Sequence, residues 1–186
     1  MIIWNEQKPD FSRKPIENLL SKLAFTAVCA VVVGGGSRHR VIIFRCVRHQ
    51  LLRHLSEQMI EMGGLLLGSV HTIDDTDTGF VVAVEDIVRA DWFDGTGVSL
   101  RMDAAVWESA RARSKEGQSV IGWYHSHPNL GAFFSGTDRR TQRAFFAYPH
   151  SLGLVVDPVR CEEKWFIGPD SLELTSRQIL SLDEAL

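Results

Sequence analysis

Cysteine is scarce in this chain, and its cysteines lie far apart. There are three among the 186 residues, Cys29, Cys46 and Cys161, and no two of them form a C-x-x-C pair. This excludes the disulfide framework of a small secreted domain and a structural zinc site made of thiolates. Such cysteine usage is typical of a reducing compartment, so the sequence predicts a cytoplasmic protein.

A long apolar run is also missing. The most apolar stretch covers residues 23–33, is interrupted only by Thr26 and ends at a glycine triplet. It is well short of the ~20 apolar residues that a membrane-spanning helix needs, and it begins too far from Met1 for an ordinary signal peptide. We therefore expect no membrane attachment. Its small and β-branched residues predict a buried strand over 25–33, which forms a hairpin with a strand over 41–47.

The chain has no strong excess of either charge and no repeat or low-complexity segment. Hydrophobic residues make up 45% and charged residues 23%, with a formal net charge of -3, which is ordinary for one soluble globular domain. This balance argues against a general nucleic-acid binder. A basic run between Arg38 and Arg53 predicts a solvated face around two core segments, with binding of an acidic partner as the alternative.

The predicted elements are mixed in order, which favours an α+β fold over a doubly wound sheet. We expect residues 1–24 to form an arm with a short helix over 15–22. Residues 25–170 form a single domain, and residues 171–186 form a tail that is helical from residue 176. Within the domain, apolar periodicity predicts further helices over 49–59 and 102–116, and strands over 65–67, 80–88, 119–127, 152–156 and 164–167.

Two histidines and an aspartate mark the stretch that carries the chemistry. His125 and His127 are two residues apart in a predicted strand, so both imidazoles project from one face, and Pro128 ends that strand. Ser135 has the features of a helix N-cap, with Asp138 at the third helical position. A helix that starts near the strand end can aim the Asp138 carboxylate at the histidines. Two neutral imidazoles and one carboxylate form a three-ligand zinc site with an open fourth position.

Taken separately, the histidine pair and the Ser/Asp pair have ordinary explanations, as a strand end and a helix cap. Together they resemble the JAMM (MPN-plus) metalloproteases, whose signature is an upstream glutamate, then H-S-H-P, a loop and S-x-x-D. The resemblance includes the Gly-Trp-Tyr before His125 and the run from Glu61 to Gly68, and it covers roughly residues 41–168. It implies a single MPN/JAB-type domain with a curled mixed β-sheet flanked by helices.

The resemblance also implies a role for each residue of the site. His125, His127 and Asp138 are expected to bind one zinc ion. Glu61 is expected to act as the acid/base, and Ser135 to help hold the oxyanion.

The choice of the acid/base depends on the resemblance. On sequence alone, Glu57 and Glu85 compete with Glu61, and the E-x-G-G-L-L-L-G run decides for Glu61, whose apolar surroundings can raise its pKa. Other catalytic classes lack their motifs. There is no C-x-x-C of a zinc deaminase and no H-E-x-x-H of another zinc peptidase, and no cysteine has the context of a nucleophile.

Members of this family typically cut the bond after the C-terminal Gly-Gly of ubiquitin or a ubiquitin-like protein. The resemblance therefore implies a zinc-dependent isopeptidase or peptidase that removes a ubiquitin-like protein from its conjugates or trims its precursor. The extended tail of the substrate is expected near Trp92 and Phe93 and along the segment after Asp138. The compact length is similar to that of peptidases in bacterial ubiquitin-like conjugation systems, including antiphage operons. The alternatives are a peptidase of a ubiquitin-fold sulfur carrier and a non-catalytic MPN scaffold, and a homodimer or a complex partner is compatible with each.

Overall fold

One mixed β-sheet forms the framework of the chain. The computed structural model describes residues 13–33, 39–73, 79–90 and 104–183. Within these ranges the strands are β1 (Lys14–Pro15), β2 (His39–Phe44), β3 (Gly63–Thr72), β4 (Phe80–Arg89), β5 (Ser119–Ser126), β6 (Leu152–Asp157), β7 (Glu162–Ile167), β8 (Leu172–Glu173) and β9 (Ile179–Leu182). The α-helices are α1 (Glu17–Leu20), α2 (Phe25–Val33), α3 (Arg45–Leu55), α4 (Ala104–Arg113) and α5 (Gly136–Phe145).

The strands pair in the order β8-β7-β6-β5-β3-β4-β2-β9, and β1 pairs with the far end of β3. β3 is antiparallel to both β4 and β5, whereas β5 and β6 are parallel, as are β2 and β4. This confirms the predicted α+β class with a mixed sheet. His125 of β5 pairs with Gly63 on one side and with Val155 on the other. The start of β3 and the ends of β5 and β6 therefore meet at one edge of the sheet.

Alternate residues of the central strands build two apolar layers. Leu66 and Tyr124 belong to the layer that contains residues of α2 and α3, whereas Leu65 and Trp123 belong to the layer packed against α4. All four side chains are buried. His125 follows Trp123 by two residues, so it projects from the face that α4 covers.

The apolar stretch after residue 23 is a helix, so the predicted strand and hairpin are wrong. In α2, Ala27 and Val31 are buried, and so is Leu23 just before the helix. This four-residue spacing places one face of the helix against the core. The packing of that face outweighs the preference of β-branched residues for strands. The Arg40 guanidinium donates a hydrogen bond to the Val31 carbonyl near the end of the helix. β2 is a strand, but it pairs with β4 and β9.

Two other predicted elements need correction. α3 begins at Arg45 directly after β2 and ends at Leu55, instead of covering 49–59, because Val47, Leu51 and Leu55 form its buried side. The predicted C-terminal helix is wrong, since that segment forms a short 3₁₀ turn and then β9. β9 adds a parallel strand beside β2, and its apolar side chains pack partly against the core.

The remaining predicted elements agree with the structure within a few residues, except that β3 runs five residues beyond the predicted strand over 65–67. β3, β4, β5, β6 and β7 overlap the predicted strands, α4 overlaps the predicted helix over 102–116, and the short N-terminal helix is α1. None of the described helices combines the length and the apolar character needed to cross a membrane. Residues 1–12 of the N-terminal arm and the glycine triplet lie outside the described residues.

Candidate metal centre

Strand β5 delivers the two histidines to the edge of the sheet. His125 is the penultimate residue of β5, and the backbone N–H of His127 donates to the Val156 carbonyl of β6 over 2.9 Å. On the other side, the Ser126 N–H donates to the Met62 carbonyl over 2.8 Å, and the Met62 N–H donates to Ser126 Oγ over 2.9 Å. The backbone around the histidines is therefore fixed from both sides, and both imidazoles are buried.

Asp138 reaches the histidines from the first turn of α5. Ser135 is the N-cap: its Oγ accepts from the Asp138 N–H over 3.2 Å, and Asp138 Oδ2 accepts from the Ser135 N–H over 2.6 Å. This reciprocal capping box confirms the predicted cap and fixes the carboxylate at the helix start. His125 Nε2 lies 3.4 Å from Asp138 Oδ1, and His127 Nε2 lies 3.8 Å from Asp138 Oδ2.

The three side chains form a compact set of atoms suited to metal ligation. The two Nε2 atoms are 3.1 Å apart, and one ligand atom from each of His125, His127 and Asp138 lies within 4.8 Å of the others. Ligand atoms at the usual ~2.0–2.1 Å from a tetrahedral zinc ion are about 3.3 Å apart, so these separations suit one ion. Two imidazoles and one carboxylate leave a fourth position for water or substrate.

Glu61 lies beside this set, in the segment between α3 and β3. Its Oε1 is 3.7 Å from His127 Nε2. Burial raises the pKa of Glu61; the charge of His125 opposes this effect, and that of Asp138 adds to it. A carboxylate with a raised pKa is suited to both accept and return a proton.

The two competing glutamates are engaged elsewhere. Glu57 forms an ion pair with Arg89 of β4. Glu85 accepts a hydrogen bond from the Ser69 hydroxyl over 2.7 Å. Of the three glutamates, Glu61 is the one that the structure places next to the histidines.

The surroundings favour the protonation states that metal ligation requires. Burial lowers the pKa of His127, and the neighbouring His125 lowers it further. Burial alone would raise the pKa of Asp138, but His125 and the hydrogen bonds with Ser135 hold that pKa below its usual range. A neutral imidazole and an ionised carboxylate are the forms that bind a metal ion.

Two buried side chains that the sequence does not nominate support the site. The Trp123 ring stacks on His125, with centroids 4.6 Å apart and planes inclined by 6°. Trp123 Nε1–H donates to Gln142 Oε1 over 2.7 Å, and Gln142 Nε2 donates to the carbonyls of Ser151 and Gly168 over 3.1 and 3.2 Å. The sequence signal for Gln142 is its spacing of four residues from the aspartate on α5, which places both on one face of the helix.

The surface next to the site is partly apolar. Leu130 and Phe133, in the loop between His127 and α5, are exposed. The Phe133 ring lies 5.0 Å from the His127 ring. The predicted substrate contacts Trp92 and Phe93 lie outside the described residues.

The fold and the site together define an α+β domain of the JAB/MPN class, in which a mixed sheet brings a His-x-His pair to a helix-borne aspartate. Residues 28–166 match the sequence profile of the Prok-JAB family, described as prokaryotic homologs of the JAB domain. The chain belongs to this family, which confirms the resemblance seen in the sequence.

Curated relatives and a solved structure agree with this assignment. The chain is 34% identical over 130 residues to the 26S proteasome non-ATPase regulatory subunit 14 of Drosophila melanogaster, covering 67% of this chain and 40% of that protein. It is 33% identical over 106 residues to the ubiquitin carboxyl-terminal hydrolase RPN11 of Saccharomyces cerevisiae, covering 54% of this chain and 32% of that protein. This chain therefore spans 40% or less of the length of these relatives. The solution structure of a protein from Desulfitobacterium hafniense shares the fold, with a TM-score of 0.59 at 24% identity over 77% of this chain and 94% of that one.

Proposed function

We propose that this chain is a zinc-dependent isopeptidase or peptidase that cleaves after the C-terminal Gly-Gly of a ubiquitin-like protein. The observation that carries the proposal is the convergence of His125, His127 and Asp138, with the Glu61 carboxylate beside them. A scaffold that only binds partners has no need of these side chains in one place. Burying titratable groups costs free energy unless they are paired or bind an ion, so their convergence favours a metal-dependent reaction.

Glu61 is the proposed acid/base. Zinc bound by the three side chains would supply a Lewis acid and lower the pKa of a water molecule towards neutrality. Glu61 accepts a proton from the attacking water and returns it to the leaving amine. Its raised pKa favours the first of these transfers, because a more basic carboxylate accepts a proton more readily near neutral pH than an ordinary carboxylate does.

Ser135 is the proposed donor to the oxyanion. In the capping box its Oγ acts as an acceptor, so that bond does not use the hydroxyl proton. The cap also fixes the position of Oγ beside Asp138. A donor placed at a developing oxyanion typically contributes about 3–4 kcal/mol to lowering the barrier.

The proposed substrate class has support from the relatives and from the surface. The yeast relative is named a ubiquitin carboxyl-terminal hydrolase, and this favours a ubiquitin-fold substrate for the present chain. Exposed Leu130 and Phe133 offer apolar contacts to a substrate segment that enters the site, and we keep Trp92 and Phe93 as further proposed contacts. Because the family is described as prokaryotic, we propose a bacterial ubiquitin-like conjugation pathway in the cytoplasm. A ubiquitin-fold sulfur carrier is the alternative substrate.

A cleavage panel tests the reaction and the substrate together. Ubiquitin-fold proteins of conjugation and sulfur-carrier systems, each extended beyond Gly-Gly, are incubated with the protein with and without a zinc chelator. Mass spectrometry then locates the cut. We expect chelator-sensitive cleavage directly after the second glycine in one of the two groups. No cleavage across the panel by protein that demonstrably holds zinc would contradict the peptidase proposal and favour a scaffold.

Glu61→Gln is the test of the acid/base. The amide keeps the shape of the side chain but cannot accept the proton, so we expect kcat to fall by ~10²–10⁴-fold with the zinc content unchanged. Glu57→Gln is the matched control, because Glu57 lies in the same segment but pairs with Arg89, and it should cleave at a near-normal rate. Near-normal cleavage by Glu61→Gln would show that another group is the base.

A further inference from the structure

A buried carboxylate holds the loop that follows His127. Asp157, the last residue of β6, is 0% exposed. Its Oδ1 accepts from the Asn129 N–H over 3.0 Å, and its Oδ2 accepts from the Gly131 N–H over 2.7 Å. It also accepts two backbone N–H groups of the turn between β6 and β7, over 2.9 and 3.1 Å. One carboxylate thereby joins that turn to the loop between His127 and α5.

The loop adopts a backbone conformation that needs such support. Asn129 has a φ of 61° and Gly131 a φ of 89°, and the left-handed region costs energy for a residue other than glycine. Without Asp157, the backbone N–H groups of these two residues would lose their acceptors, and that of Gly131 is buried. Hydrogen bonds to an ionised carboxylate are stronger than those between neutral groups, so Asp157 stabilises this one conformation of the loop.

The same loop borders the His127 imidazole. The Leu130 N–H donates to the His127 carbonyl over 3.2 Å, and the Phe133 ring lies 5.0 Å from the His127 ring. A displacement of residues 129–131 would therefore move the groups that surround His127.

We propose that Asp157 is a positioning residue for the metal site, and that it orients His127 by fixing the loop at Asn129 and Gly131. The inference rests on the proposed metal site and adds to it a residue that holds the loop and not the ion. Arg160 completes the arrangement: its Nε lies 3.6 Å from Asp157 Oδ2, and its Nη2 donates to the Asn129 carbonyl over 2.9 Å. The loop is thus held through both its N–H and its C=O groups.

Asp157→Asn is the variant that tests this role. The amide keeps the size of the side chain, but its NH₂ group faces one of the two loop N–H groups, donor against donor. Asp86→Asn is the matched control, because Asp86 also accepts a backbone N–H, from Ile87, and pairs with Arg113. Asp86 pairs with Leu67 of β3. Leu67 lies four residues along β3 from Gly63, which pairs with His125.

Two measurements separate positioning from general stability. Zn²⁺ affinity is measured by competition with a chromophoric chelator, and the arrangement of the ligands is followed by the visible spectrum of the Co²⁺-substituted protein. We expect Asp157→Asn to weaken Zn²⁺ binding by ~10–100-fold and to change the Co²⁺ spectrum. Asp86→Asn should leave the Zn²⁺ affinity and the Co²⁺ spectrum unchanged, even if it lowers the unfolding temperature of the protein.

A folded Asp157→Asn protein with wild-type Zn²⁺ affinity and an unchanged Co²⁺ spectrum would overturn the inference. If that variant does not fold, Gly131→Ala replaces it, because it strains the same left-handed position and the nearest atoms to the added Cβ lie 3.5 Å away. Wild-type affinity in folded Gly131→Ala then overturns the inference. If the wild-type protein binds no Zn²⁺, the proposed metal site is itself refuted and the inference falls with it.

Discussion

At the scale of single residues, the folded environment shifts the pKa values of several titratable side chains away from those in water. It lowers the pKa of His127, while hydrogen bonds and charge keep Asp138 ionised. The same effect acts away from the site. Burial, with the charge of Arg13, lowers the pKa of His150 to about 4, so the folded protein holds this imidazole neutral.

We predict that His150 makes the protein less stable as the pH falls from about 6.5 to about 4. The unfolded chain binds a proton at His150 near pH ~6.5, whereas the folded state does so only at a pKa of about 4. The contribution of the neutral His150 to the free energy of unfolding is therefore complete above the unfolded pKa. This contribution is lost as the pH falls through this window. A difference of ~2.5 pKa units corresponds to up to about 3 kcal/mol.

Urea unfolding at about pH 7 and about pH 4.5 measures this effect. His150→Phe keeps an aromatic ring beside Tyr148, against which the imidazole stacks, and removes the titration. The variant should lose less free energy of unfolding between the two pH values than the wild type. An equal loss in both proteins would show that other groups cause the pH dependence.

At the scale of elements, the sequence predicts those that a local pattern marks. It does not predict those that depend on contacts with distant parts of the chain. The H-x-H strand and the S-x-x-D helix start are local, and the structure has both where the sequence predicts them. The strand predicted in place of α2 is wrong because the buried face of Ala27 and Val31 depends on the core that covers it. β9 pairs with β2, which lies near the other end of the chain. The supporting roles of Gln142 and Asp157 likewise depend on partners that the fold brings together.

Gln142→Leu tests how α5 is attached to the sheet. The substitution leaves the Trp123 N–H and the carbonyls of Ser151 and Gly168 without the partner that Gln142 provides. A buried polar group without a partner costs ~1–3 kcal/mol, so we expect the free energy of unfolding in urea to fall by about 2–4 kcal/mol.

Arg143→Leu is the control for this variant, because it introduces the same side chain one residue further along α5. Arg143 forms an exposed ion pair with Asp170, and the loss of such a pair changes stability by about 0.5 kcal/mol or less. Equal losses in Gln142→Leu and Arg143→Leu would contradict the role of the buried amide.

At the scale of the whole molecule, the order of the strands brings distant parts of the chain to one edge of the sheet. The segment before β3 carries Glu61, the end of β5 and the residue directly after it carry the two histidines, and α5 carries Asp138. Asp157 holds the loop between His127 and α5. The chain spans 40% or less of the length of two curated relatives, and the described residues contain this whole set. We therefore expect the domain to bind its metal ion without the additional segments of those relatives.

Elemental analysis of protein purified without a chelator tests the central claim most directly. The claim is that His125, His127 and Asp138 together hold one zinc ion. We predict one zinc per chain in the wild type and in Asp86→Asn, and loss of zinc in folded Asp138→Ala, because two imidazoles alone form an incomplete ligand set. A wild-type protein that carries no zinc, or an Asp138→Ala protein that carries as much as the wild type, would contradict the account.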